Sequence, residues 1–189
     1  MTLAELLADA VRRLERAHIP YMVTGSVAST YHGEPRATRD LDIVIDPLPD
    51  SLAVLVDGLL ADGHYVDRDA AFAALRERTQ FNAVGAGASK IDFIVRKDRP
   101  LSREEFERRR PADLLGTQAF IASVEDMIIA KLEWSLPFHS ERQLRDVASM
   151  LDVAGDAIDR GYIDRWVGAL GLAEAWREMQ GDAPGSSQT

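Results

Sequence analysis

The chain has no cysteine in its 189 residues. That excludes disulfides, thiolate metal ligands and cysteine nucleophiles, and it is compatible with a reducing compartment. No apolar run approaches the roughly 18 residues that a membrane span requires. The opening helical pattern is interrupted by Glu5, Asp9, Arg12 and Arg13, so it lacks the apolar centre of a signal peptide. A cytoplasmic protein without a membrane partner is the expectation. Common catalytic signatures are missing too: there is no GxSxG, no GxxxxGK[ST] and no HExxH. His18, His32, His64 and His139 are dispersed without ligand spacing. Positive charge is also scarce. Lys and Arg number 22 against 31 Asp and Glu, and the resulting net charge of -9 argues against indiscriminate binding to nucleic acid. The local exception is Arg96 to Arg110, with seven basic residues and four acidic ones.

What is present is enough apolar material for a real core, 46% of the chain, sufficient for one compact domain or a core with an appendage. Leu3, Leu6, Leu7, Ala10, Val11 and Leu14 share one helical face, with Thr2 and Glu5 placed for a capping box. Tyr21 to Thr24 reads as a strand, broken by Gly25, after which Ser26 is positioned to cap a short helix to about His32. LDIVI reads as a buried strand stopped by Pro47 and Pro49, followed by a helix capped by Asp50 or Ser51 and running to about Ala61. A short strand at His64 to Val66 and a helix over Ala70 to Arg76 come next. Thr79 to Val84 and Lys90 to Arg96 read as two strands around the turn GAGAS at 85–89. A charged helix over Ser102 to Arg109 and a strand at Gln118 to Ile121 follow. The helical patterns Val124 to Ser135, Glu141 to Val153, and Tyr162 to about Met179 with a break near Gly171 complete the chain. The expected architecture is a mixed α/β (α+β) core over 1–120, a helical segment over 121–180, and a disordered tail over 181–189.

Four features carry chemistry. Asp40 and Asp42 stand two apart at the start of a strand and project from one face, while Leu41 and Ile43 point to the core. Such a pair repels itself, so it calls for a cation or donors. Magnesium, a hard ion that takes oxygen ligands, satisfies the pair; Arg36 and Arg39 in the preceding loop offer the plain alternative. Gly25 and Ser26 lie where a strand enters a helix, and free N-H groups there favour an anion, against the plainer reading of simple helix capping. Asp92 is an acidic residue inside KIDFIV, either paired with Lys90 or Arg96 or available to a metal. Finally, Lys131 falls within the apolar arc of its helix, so it either snorkels or reaches an anion. Asp146 flanks the next apolar stripe, one turn from Arg142, with which it is spaced for an i, i+4 ion pair.

The combination Gly25-Ser26, a nine-residue loop, Arg36-x-Thr38-x-Asp40-x-Asp42, and a later strand bearing Asp92 resembles the DNA polymerase β nucleotidyltransferase superfamily. The downstream stretch with Lys131 and Arg145-Asp146 is similar to the helical segment of small abortive-infection, type IV toxin-antitoxin nucleotidyltransferases. The resemblance spans about residues 20 to 155. It implies a nucleotidyltransferase-like mixed sheet flanked by helices. It also implies transfer of a nucleoside monophosphate from a nucleoside triphosphate, such as ATP, to an acceptor hydroxyl, with pyrophosphate released. Asp40, Asp42 and Asp92 would hold Mg2+ or Mn2+, and Asp92 would help activate the acceptor. Gly25, Ser26, Arg36 and Thr38 would meet the nucleotide, Lys131 would neutralise the triphosphate, and Asp146 would orient that lysine or the nucleotide. The leading acceptor is RNA such as tRNA, in a toxin-like enzyme with a cognate antitoxin as a further partner; transfer to a small molecule such as an antibiotic hydroxyl, or to a protein side chain, is the nearest alternative. A nucleotide-binding regulator or antitoxin-like protein without turnover is the reading from another class.

Overall fold

The computed structural model describes residues 1–38, 40–85, 89–136 and 140–180. The expected tail, Arg39, His139 and the centre of the GAGAS turn lie outside the described residues. Two compact units emerge: Met1–Ala28 with Arg36–Ala122, and Ser29–Pro35 with Ser123 and the residues that follow.

In the first unit, α1 (Leu3–Arg16) begins at the Thr2/Glu5 capping box and buries Leu6, Leu7, Ala10, Val11 and Leu14, the stripe its 3.6-residue period dictates. Strands β1 (Tyr21–Thr24), β2 (Asp40–Ile45), β3 (Tyr65–Val66), β4 (Gln80–Val84), β5 (Lys90–Val95), β6 (Arg110–Leu114) and β7 (Thr117–Ile121) form one seven-stranded sheet in the order β3-β4-β5-β2-β1-β7-β6. The sheet is mixed. β2 runs parallel to β5 and antiparallel to β1, and β1 runs parallel to β7. Leu41, Ile43 and Ile45 on β2 stand beside Ile91, Phe93 and Val95 on β5, and all six are buried. Phe81 stacks on Phe93 with ring centroids 5.2 Å apart. The helices α3 (Pro49–Ala61), α4 (Arg68–Glu77) and α5 (Pro100–Glu107) complete this unit. Arg13, held by Asp9 of its own helix (2.6 Å), ties α1 to α3 by hydrogen bonds to the Gly58 carbonyl (2.9 Å) and to Asp62 at the C-cap of α3 (2.7 Å).

Two local expectations change. α3 starts one residue before the expected caps, with Pro49 in its first turn and Leu48 at the N-cap, because a proline there gives up only an N-H that has no intrahelical partner anyway. β6 was not expected. Its Pro111 argues against a central strand, but β6 is the last strand of the sheet, where a missing N-H costs no ladder bond. The break expected near Gly171 is present: it separates α8 (Arg160–Leu170) from α9 (Ala173–Met179), and Gly171 takes the left-handed conformation between them.

The second unit packs α6 (Val124–Ser135) against α7 (Glu141–Ala154) and α8. Ser123 caps α6 by accepting from the Asp126 N-H. Asp126 is almost fully buried and is satisfied by the Ser123 hydroxyl at 2.7 Å and the Tyr162 hydroxyl at 2.5 Å. Both groups donate to its carboxylate, tying α6 to α8. The segment after α2 (Gly25–His32) is fastened by Ser149 of α7, whose hydroxyl accepts from the Glu34 N-H at 2.6 Å. Among the described residues, no helix is long and apolar enough to cross a membrane.

Candidate active site

The site is built where β1, β2, β4 and β5 run side by side. Thr24 is the register partner of Asp42, Asp42 of Asp92, and Asp92 of Asn82, so one row crosses four strands. Side chains at neighbouring register positions share a face of the pleat, and adjacent strands lie about 4.8 Å apart. The Asp42 and Asp92 carboxylates therefore rise side by side. Asp40 and its own register partner Lys90 stand one step along on the same face. The sequence did not single out Thr24 or Asn82; the only signal was the polar alternation of QFNAV, which becomes meaningful once β4 is known to adjoin β5.

Gly25 follows β1 directly and opens α2 with φ +63°. A Cβ built on it would lie 2.0 Å from Asp42 Oδ2, so the carboxylate packs against the bare glycine Cα. Ser26 sits one residue inside the helix instead of at its N-cap, and its hydroxyl accepts from Arg36 at 2.9 Å. That contact binds the loop before β2 to the helix entrance. The Thr38 hydroxyl donates to the Asp40 carbonyl at 3.3 Å.

Asp92 is 91% buried, with 9% of its surface exposed. Lys90 donates to its Oδ2 at 2.8 Å, while Oδ1 has no hydrogen-bond partner among the described residues. Of the two salt-bridge partners that the sequence offered Asp92, Lys90 is the one used; Arg96 pairs with Asp46 instead, at 2.9 Å. The hydrogen bond to Asp92, opposed by burial and aided by the charges of Asp92, Asp40 and Asp42, holds the Lys90 ammonium above the usual lysine range. Among the described residues, no three carboxylate or imidazole side chains form a ready-made metal cage. The donor chemistry nevertheless fits a hard divalent cation. Three carboxylates share one face, a buried Asp92 oxygen has no donor among the described residues, and an ammonium lies in their combined field.

Lys131 and Asp146 belong to the second unit and meet there. The Lys131 ammonium donates to Asp146 Oδ2 at 2.8 Å, with side chains only 9% and 8% exposed. Lys131 thus reaches an anion instead of snorkelling. The Asp146 partner that the sequence favoured was Arg142 on the same helix; the structure gives it a lysine from the neighbouring helix, which the packing of α6 on α7 brings within reach.

The mixed seven-stranded sheet flanked by helices has the fold of solved nucleotidyltransferase structures. The antibiotic-resistance factor ANT(2'')-Ia in solution matches with a TM-score of 0.61 at 12% identity, over 93% of this chain and 96% of that one. The same factor in complex with adenylyl-2''-tobramycin gives 0.61 at 13% identity, over 92% and 99%. The lincosamide antibiotic adenylyltransferase LnuA, lincomycin-bound, gives 0.54 at 13% identity, over 81% and 98%. At such identities the likeness is one of fold. No family model matches the chain, and neither does any curated protein sequence.

Proposed function

We propose that the chain is a metal-dependent nucleotidyltransferase that moves a nucleoside monophosphate from a nucleoside triphosphate to an acceptor hydroxyl, releasing pyrophosphate. The observation that carries this reading is the side-by-side register of Asp42 and Asp92 on parallel strands, with Gly25 pressed against the Asp42 carboxylate. Asp40, Asp42 and Asp92 would hold Mg2+ or Mn2+, which when bound supplies charge neutralisation for the attacking and leaving oxygens. The protein's own share is alignment and electrostatics. The N-H groups at the start of α2 and the Ser26 hydroxyl receive the terminal phosphates, with Arg36 beside them and Thr38 steadying the approach to Asp40. Asp92 accepts the proton of the acceptor hydroxyl as that oxygen attacks the α-phosphorus. Lys131, held by Asp146 within its own unit, is the proposed counter-charge to the triphosphate; that assignment rests on the sequence resemblance.

For the acceptor, a hydroxyl of a polar small molecule has the better support. The neighbours that this chain covers over nearly their full length are named for antibiotics. The basic stretch that an RNA acceptor would need is largely engaged internally. Arg96 is bound to Asp46, Arg103 to Asp98, and Arg109 lies over the rings of Phe106 and Phe120. A toxin-like role with a cognate antitoxin draws no support from that surface.

The test incubates the protein with each α-labelled nucleoside triphosphate, Mg2+ or Mn2+, and separate pools of hydroxylated antibiotics and of RNA. Label should pass to the small-molecule pool and be lost in Asp42→Asn. Labelling of RNA alone would overturn the acceptor assignment. No transfer to either pool, with nucleotide binding unchanged in Asp42→Asn, would sink the enzyme reading in favour of a non-catalytic nucleotide-binding regulator.

A further inference from the structure

Lys90 occupies an unusual place for a strand lysine. Its stem has a solvent-facing option, being over one-third exposed, yet its ammonium turns along its own strand to Asp92. Asp40 stands directly across from it on β2, and Asp42 stands across from Asp92. Three carboxylates and one ammonium therefore share a single face of two strands. Three carboxylates so close repel one another, and the Lys90 ammonium is a counter-charge that the chain places beside them. It satisfies only half of Asp92, since Oδ1 is buried and without a hydrogen-bond partner among the described residues. A buried carboxylate oxygen left in that state is costly, which marks the arrangement as one that a second ligand would improve.

We infer that Lys90 is a tethered counter-ion of the unloaded metal site, and that a divalent cation binds Asp92 only by displacing it. The inference rests on the metal-site reading above and adds a control to it. An ammonium and a divalent ion within a few ångströms repel by several times the thermal energy, even at an effective dielectric of about 20. That repulsion sets the two in competition for Asp92. The lysine's four-carbon stem lets it swing away, which an arginine's rigid fork bound to the same carboxylate does less readily. The lysine thereby sets the metal concentration at which the site fills, and it keeps the carboxylates from repelling one another below that concentration.

Mn2+ binding, followed by calorimetry on the protein alone, tests this without any turnover. Lys90→Met should bind Mn2+ at least about tenfold more tightly than the unmodified chain, since a repelling charge has been removed, and Lys90→Arg should not. Asp42→Asn should lose binding. Should Lys90→Met bind equally or more weakly while Asp42→Asn still loses the metal, the lysine's role is overturned and the metal site stands. Should neither the unmodified chain nor Lys90→Met bind Mn2+, the metal site itself falls, and the lysine's role with it. Because Lys90→Met removes an ammonium from beside three carboxylates and can unfold, the unmodified protein supplies a second readout. The side-chain ammonium NMR signal of Lys90, assigned by its loss in Lys90→Arg, should shift as Mg2+ is added. An unmoved signal at saturating Mg2+ would overturn the displacement.

Discussion

At Gly25 two constraints meet that no other residue satisfies. The backbone is left-handed there, and the space where a Cβ would go is filled by the Asp42 carboxylate. The left-handed conformation alone costs an L-residue roughly 1–2 kcal/mol, and the clash would push the carboxylate off its position. Gly25→Ala should therefore lower the unfolding free energy by at least about 1 kcal/mol in urea titrations. It should also cut any nucleotidyl transfer about 100-fold, since displacements near 1 Å at a reacting centre cost that much. An alanine variant with full activity would show that Asp42 need not rest on the glycine. Both residues stand out in the sequence, but not the packing of one on the other. Their contact joins positions separated by α2 and the loop after it, and depends on β1 pairing with β2.

Among elements, α6 and α7 are joined by the Lys131–Asp146 pair, buried on both sides. Removing one partner of such a pair leaves a charge in a poorly solvated place, whereas removing both can be nearly neutral. Lys131→Met should cost about 3 kcal/mol of stability, and the double variant Lys131→Met/Asp146→Leu should recover most of that loss. Equal losses in the single and double variants, measured by denaturant melts, would mean the pair itself is not what matters. Helical periodicity placed Lys131 within the apolar arc of its helix and Asp146 at the flank of the next stripe, which flagged them as unusual. It did not pair them, because periodicity describes one helix at a time, and the (i, i+4) rule pointed inward along α7 to Arg142. β6 was illegible for a related reason. A proline rules out a central strand, and only the sheet order puts β6 at an edge where proline is harmless.

For the molecule as a whole, the surplus of acidic groups makes the low-pH side informative. Burial pushes the Asp9 carboxyl up, but hydrogen bonds and charge from Arg13 and then Arg12 outweigh it and hold the carboxyl below the usual aspartate range. A carboxyl lowered in the folded state stabilises the fold above its unfolded pKa. That stability is lost as pH falls through the depressed folded value. Since Arg13 also fastens α1 to α3, the unfolding midpoint should drop as the medium is acidified below the ordinary aspartate pKa. Asp9→Asn should be less stable at neutral pH and show a flatter acid limb. An Asp9→Asn limb as steep as that of the unmodified chain would assign the acid sensitivity to other carboxylates.

Within the described residues, the sequence by itself determined the kinds of elements and the faces they bury. Those follow from local period, caps and turn residues, which act over a few positions. It also singled out the residues proposed to carry chemistry, because two aspartates at period two and a lone aspartate in an apolar strand are conspicuous in one dimension. Tertiary structure alone decided the neighbours: Asp42 beside Asp92, Lys90 on Asp92, Gly25 under Asp42, and Lys131 on Asp146. Strand order and helix packing join residues distant along the chain, and the energies that choose those partners, charge pairing and burial, depend on separation in space.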